Sequence, residues 1–254
     1  MNLQIKEEGA FKYVDEGQGE VLLLLHGLFG ALSNWDGVIR HFSKDYRVVI
    51  PLLPILELPV KDATIDGLVS FVEKFVSKFQ LKDVTLLGNS LGGHLALVYT
   101  LRNSANVKRI VLTGSSGLFE NSMGGSYPKR GDRKYVEERV RYTFYDPNVA
   151  SKELIDEVFD ITNSIRKGLN IVAVAKSAQR QNLANEISAI KQPVLLVWGL
   201  NDTITPPSVG HEFNRLLPNS ELRFIDKCGH APMMEHPIKF NEYVDDFLKV
   251  AVPA

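Results

Sequence analysis

The chain has 254 residues, 44% of them hydrophobic and 23% charged, which fits one globular α/β domain with room for an insertion. Its 29 basic and 30 acidic residues leave a formal net charge of -1, so there is no electrostatic reason to expect nucleic acid or an anionic membrane as partner, and a small-molecule substrate is expected instead. The single cysteine, Cys228, excludes an intramolecular disulfide, and MNLQIKEEGAFKYVDEG at the start has no apolar signal-peptide core. Both observations make a cytoplasmic location the expectation, and the early apolar run VLLLL (21–25), far below the ~20 residues of a membrane span, reads as a strand.

Taken along the chain, LQIKEEGAFKYVDEG (3–17) predicts an antiparallel hairpin. The β-rich runs EVLLLLHG (20–27) and YRVVIP (46–51) follow, and then a helix over 64–79 whose apolar residues at 65, 68, 69, 72, 75, 76 and 79 share one face. VTLLG (84–88) predicts a strand, the segment from Leu91 a helix, and RIVLTG (109–114) another strand. Between Thr113 and Pro193 the alternation stops: the Gly/Ser-rich stretch GSSGLFENSMGGSYPKRGD leads into the helical patterns RKYVEERVRYTFY, SKELIDEVFDITNSI and GLNIVAVAKSAQRQ. Strands resume at PVLLVWG (193–199) and ELRFID (221–226), with helices over 206–217 and 236–251. Continuous apolar strands alternating with helices predict a mostly parallel central sheet covered on both faces. Residues 1–116 and 191–254 are then the core, and 117–190 a helical cap or lid inserted between core strands.

LLGNSLGG (86–93) sets one hydroxyl between glycines. Gly-x-Ser-x-Gly is short enough to be an ordinary turn, but here it joins a buried strand to a helix, the setting of a nucleophile elbow. Ser90 is the candidate nucleophile. It needs a base, and the base an orienting acid. FIDKCGHAPMMEHP (224–237) puts His230 in a loop after the last predicted strand; His26, His41, His94, His211 and His236 are the alternatives, and none combines a strand end with a flexible loop. LLVWGLNDTITPP (195–207) delivers Asp202 just past a strand end, where the bland reading is an Asx turn. After RIVLTG no carboxylate appears before Glu120, which leaves Asp202 as the acid. LLLLHGLFG (22–30) supplies a Gly-rich loop, so the backbone N–H groups of Leu28 and Leu91 are the expected oxyanion donors, with His26 holding the loop. Cys228 reads as a packed thiol. The sequence contains no HExxH, Cys/His cluster or phosphate loop, so no metal or organic cofactor is expected.

These segments, in this order, resemble the α/β-hydrolase superfamily over nearly the whole chain. GNSLGG, KCGHAPMMEHPIKFNEYVDDFL and SSGLF are most similar to the cofactor-free esterases and to the meta-cleavage-product hydrolases, which cut a carbon–carbon bond in vinylogous diketones. The resemblance implies an α/β-hydrolase fold and makes Asn34, Asn89 and Phe29 candidate substrate contacts. Two departures stand out. The cap arginine that holds a dienoate carboxylate is absent where Val158 and Phe159 lie, leaving Arg166 or Arg180 as substitutes. LLPILELP (52–59) replaces a glycine-containing loop, either as altered core packing or as a partner patch. The basic run PKRGDRK (128–134) reads as solvated surface or as the docking place of an anion. The activity implied is a serine hydrolase acting on carboxylic esters with small apolar acyl groups. Carbon–carbon bond hydrolysis is the alternative, and a ligand-sensing or partner-binding signalling protein on the same scaffold is a third reading.

Overall fold

The run VLLLL sets the layering. In the computed structural model, which describes residues 3–30, 32–121 and 130–250, it forms β3 (Val21–Leu25). Because side chains alternate across a strand, Leu23 and Leu25 enter one hydrophobic cluster while Leu22 and Leu24 enter another on the opposite face. All four leucines are fully buried, each contributing roughly 1.5–3 kcal/mol. A strand apolar on both faces belongs in the middle of a covered sheet, and β3 lies there.

The other strands are β1 (Lys6–Glu8), β2 (Phe11–Glu16), β4 (Arg47–Pro51), β5 (Val84–Asn89), β6 (Val107–Thr113), β7 (Val194–Gly199) and β8 (Ser220–Ile225). Their order across the sheet is β1-β2-β4-β3-β5-β6-β7-β8. β1 and β2 form the predicted hairpin, and β2 pairs antiparallel with β4; every other pairing is parallel. On the Leu23/Leu25 face pack α2 (Ile65–Lys78), α3 (Leu91–Arg102) and α7 (Pro207–Leu216). On the other lie α1 (Asp36–Phe42), the short α8 (Pro232–Glu235) and α9 (Pro237–Lys249). Thr64 starts α2 by accepting the Gly67 N–H at its Oγ1, at 3.0 Å.

Among the described residues, three α-helices stand between β6 and β7 in the chain: α4 (Arg133–Tyr142), α5 (Lys152–Asn163) and α6 (Ile165–Arg180). Asp132, Ser151 and Ser164 cap them, each side chain accepting an N–H of the first turn. Val136, Val140, Ile155 and Val158 from α4 and α5 join the Leu22/Leu24 cluster, whereas Ile171, Val174 and Ala178 from α6 join the other. Where the chain leaves and re-enters the sheet region, Leu183 N–H donates to the Gly117 carbonyl at 2.8 Å. LLPILELP turns out to be packing: Leu53 and Ile55 are buried, and the buried Asn170 of α6 donates its Nδ2 to the Ile55 and Leu58 carbonyls at 3.0 and 2.8 Å. Of the basic run, Pro128 and Lys129 lie outside the described residues, and Arg130 to Lys134 are exposed.

Candidate active site

β5 ends at Asn89, and the next residue takes a conformation L-residues rarely adopt. Ser90 has φ 54° and ψ -119°, and α3 begins immediately after it. The main chain holds this strain from several directions. Ser90 N–H donates to the Thr113 carbonyl at 3.1 Å, and the Ser90 carbonyl accepts from Gly93 N–H at 3.0 Å and Ser116 N–H at 3.1 Å. Space is equally tight, because a Cβ on Gly92 would collide with the Leu25 carbonyl oxygen, and one on Gly88 would come within 2.6 Å of the Gly92 backbone. This is the physical reason for glycine on both sides of the serine.

Asp202 and His230 sit beyond β7 and β8, 3% and 6% exposed respectively. His230 Nδ1 lies 2.9 Å from Asp202 Oδ2. The carboxylate is fixed by Ile204 N–H at 2.8 Å, Thr205 N–H at 2.9 Å and the Thr205 hydroxyl at 2.9 Å, and the Trp198 indole holds the same loop by donating to the Thr205 carbonyl at 2.8 Å. Burial alone would lower the His230 pKa. The Asp202 carboxylate, aided by Glu120 and Glu235, more than offsets it and leaves the pKa raised. With Nδ1 held by Asp202, Nε2 is the ring nitrogen left for Ser90.

Ser90 and His230 line one cavity of about 330 Å³, closed on its far side by α4, α5 and α6. Leu28, Phe29, Asn34, Asn89 and Leu91 line it too. The N–H groups of Leu28 and Leu91 donate to no protein acceptor among the described residues. The Asn34 Oδ1 is buried without a partner there. Asn89 is spoken for, since its Nδ2 donates to the Thr113 carbonyl at 3.0 Å and the His230 carbonyl at 3.2 Å. It therefore positions the histidine main chain while its side chain borders the cavity.

Four of the other histidines, His26, His41, His211 and His236, are engaged elsewhere. His26 accepts Leu53 N–H at Nε2 (3.1 Å), which puts its proton on Nδ1 against the Gly27 carbonyl (2.8 Å), and burial lowers its pKa. It holds the LLLLHGLFG loop, as expected. His41 pairs with Asp245, His236 meets the Lys227 carbonyl, and His211 packs beside Phe224. His94 is fully buried within α3. The Cys228 thiol is buried, and burial with the Glu235 charge pushes its pKa up, away from thiolate chemistry. Among the described residues no group of three or more His, Cys, Asp or Glu could hold a metal ion.

Sequence reasoning missed several wall residues. Arg166 and Arg180, the expected substitutes for a cap arginine, are exposed and outside the cavity lining; the cations that line it are Arg139 of α4 and Lys176 of α6. Glu120 lines it beside His230. Glu235 acts across the site, accepting Gly229 N–H at 2.7 Å on one side and Tyr145 and Asp146 N–H at 2.8 and 3.3 Å on the other. His230 N–H donates to the Thr143 carbonyl at 2.9 Å, so the histidine loop is bolted to the end of α4.

Comparison with known proteins places the chain among hydrolases. A solved structure, MGS-MChE2, an alpha/beta hydrolase enzyme from the metagenome of sediments of the Mar Chica lagoon, Morocco, is 38% identical, with a TM-score of 0.80 over 97% of this chain and 98% of that one. A 2-hydroxy-6-oxononadienedioate/2-hydroxy-6-oxononatrienedioate hydrolase 2 of Pseudomonas putida is 28% identical over 93% of this chain and 91% of its own. The pimeloyl-acyl-carrier-protein methyl ester esterase of Nitrosomonas europaea is 27% identical over 88% of this chain and 94% of its own. The Alpha/beta hydrolase family pattern matches residues 22–243, and the chain belongs to that family.

Proposed function

We propose that the protein is a serine hydrolase of carboxylic esters with small, largely apolar acyl groups. The observation that carries this reading is the Asp202–His230 pair and the strained Ser90 on one predominantly apolar cavity. Ser90 Oγ attacks the acyl carbonyl as His230 Nε2 takes its proton. Asp202 holds the imidazole tautomer and stabilises the imidazolium, and the Leu28 and Leu91 N–H groups receive the oxyanion. Collapse of the tetrahedral adduct transfers the proton from His230 to the departing alcohol and leaves an acyl-Ser90. Water, deprotonated by the same histidine, then releases the acid. The helices α4 to α6 act as a cap that excludes bulk water and shapes the acyl pocket.

Carbon–carbon bond hydrolysis is the second reading, favoured by Arg139 and Lys176 on the cavity wall and by the named dienedioate hydrolase relative. Against it stands Glu120, a carboxylate beside His230 that opposes a dianionic substrate. The deciding assay compares wild type and Ser90→Ala on short p-nitrophenyl esters and on a dienoate meta-cleavage product. Ester turnover that disappears in the variant, with negligible dienoate cleavage, is expected. Preferential dienoate cleavage replaces the first reading by the second, and full ester activity in Ser90→Ala removes both.

A further inference from the structure

Among the described residues, Glu120 is the one carboxylate on the cavity wall. The chain holds it there from both sides. Asn121 donates its backbone N–H to the Ile204 carbonyl at 2.6 Å and its Nδ2 to the Thr203 carbonyl at 3.0 Å, tying this stretch to the loop that carries Asp202. Two residues before Glu120, the Leu118 carbonyl accepts from Asn182 Nδ2 at 3.2 Å. The Glu120 carboxylate itself has no hydrogen-bond or ion-pair partner among the described residues. A carboxylate partly withdrawn from water without a partner costs free energy, and a ligand that supplies the missing contact offsets that cost.

Its position indicates which ligand. His230 Nε2 hands its proton to the leaving group, so a carboxylate beside that ring borders the alcohol half of an ester. The cavity cations, Arg139 and Lys176, come from α4 and α6, whereas burial raises the Glu120 pKa and the nearby His230 draws it down. A positive group on the substrate is therefore drawn to Glu120. Resting on the ester-hydrolase reading above, we propose that Glu120 is a specificity-determining residue that receives a cationic group on the alcohol, as in esters of amino or quaternary ammonium alcohols.

The test uses two butyrate esters of matched shape, butyrylcholine and 3,3-dimethylbutyl butyrate, which differ in the charge at one atom. For wild type, kcat/KM favours the cationic ester by roughly tenfold, the size expected of one partly buried charge pair. In Glu120→Gln the ratio falls to near one, and in Glu120→Lys it inverts; melting curves exclude unfolding, and if the lysine variant does not fold the glutamine variant decides alone. A wild-type ratio near one, or a ratio that survives in Glu120→Gln, overturns the proposal. So does a Glu120→Gln variant whose pH profile moves while its ratio does not, because the residue then tunes His230 and reads no charge. If wild type cleaves neither ester but does cleave a dienoate, the ester reading fails first and the proposal falls with it, a different signature from Ser90-dependent cleavage of both esters without preference.

Discussion

The two walls of the cavity are built by different means. The sheet-side wall is held largely by main-chain groups: the Ser90 carbonyl accepts the Gly93 and Ser116 N–H groups, the Ser90 N–H donates to the Thr113 carbonyl, and two backbone N–H groups hold the Asp202 carboxylate. The helical wall is held by side chains, namely the apolar faces of α4 to α6 and a few amides such as Asn170. The contrast teaches where sequence can vary. Main-chain bonds constrain few residue types apart from the glycines that make room, whereas residues of the helical wall decide pocket shape directly.

The sharpest way to break the comparison is at the acid. Asp202→Asn leaves an amide where His230 Nδ1 needs an acceptor, and kcat is expected to fall by about 10⁴-fold with the fold retained, measured by ester turnover beside a melting curve. A loss under tenfold would mean that the acid lies elsewhere.

The next effect is thermodynamic. Burial lowers the His94 pKa from 6.5 to about 4, so between those values the unfolded chain binds a proton that the folded chain refuses. The stability His94 contributes is therefore whole above pH 6.5 and is lost as pH falls toward 4, by about 3 kcal/mol in all. Urea midpoints at several pH values should show this acid slope in wild type and a flatter one in His94→Gln. Equal slopes would mean that His94 is hydrated in the folded state.

On the helical wall, Asn170→Ala strands the buried Ile55 carbonyl and the half-buried Leu58 carbonyl, at a cost of about 1–3 kcal/mol. If the walls are as separate as they look, KM rises while kcat changes little. A kcat loss matching that of Asp202→Asn would erase the distinction. The smallest effect is expected where the walls join. Glu235→Gln weakens the acceptor shared by the histidine loop and the end of α4, at about 1–2 kcal/mol in stability, with a modest loss in kcat readable in the same assays.

The sheet and most helices were legible because apolar runs and helical periodicity report burial directly. β6 starts two residues before RIVLTG because Val107 already pairs with β5, and α1 is a seven-residue helix with little room for a periodic pattern. The elbow and the placement of Asp202 and His230 at strand ends were legible for the same reason. Contacts that depend on helix phase or on distant partners were not. Arg166 and Arg180 point to solvent because Ile171, Val174 and Ala178 own the buried face of α6, while Lys176 borders the cavity from an adjacent strip of the helix with Val172 and Gln179. Asn89 read as a substrate contact because its donor role is filled by carbonyls 24 and 141 residues away. Glu235 bridges about ninety residues of sequence, a span no local motif reports.

The bond between Leu183 and Gly117 brings the two ends of the helical segment side by side, so the strands on either side of it, β6 and β7, pair as neighbours whatever lies in between. Closing a longer or shorter loop at that neck costs only logarithmically in chain entropy. The segment between these residues is thus free to change in length but not at its seams. Any replacement has to keep the main-chain carbonyl at Thr143 that receives the His230 N–H, and the Asn121 bonds to the Asp202 loop, for the histidine and aspartate to stay in place.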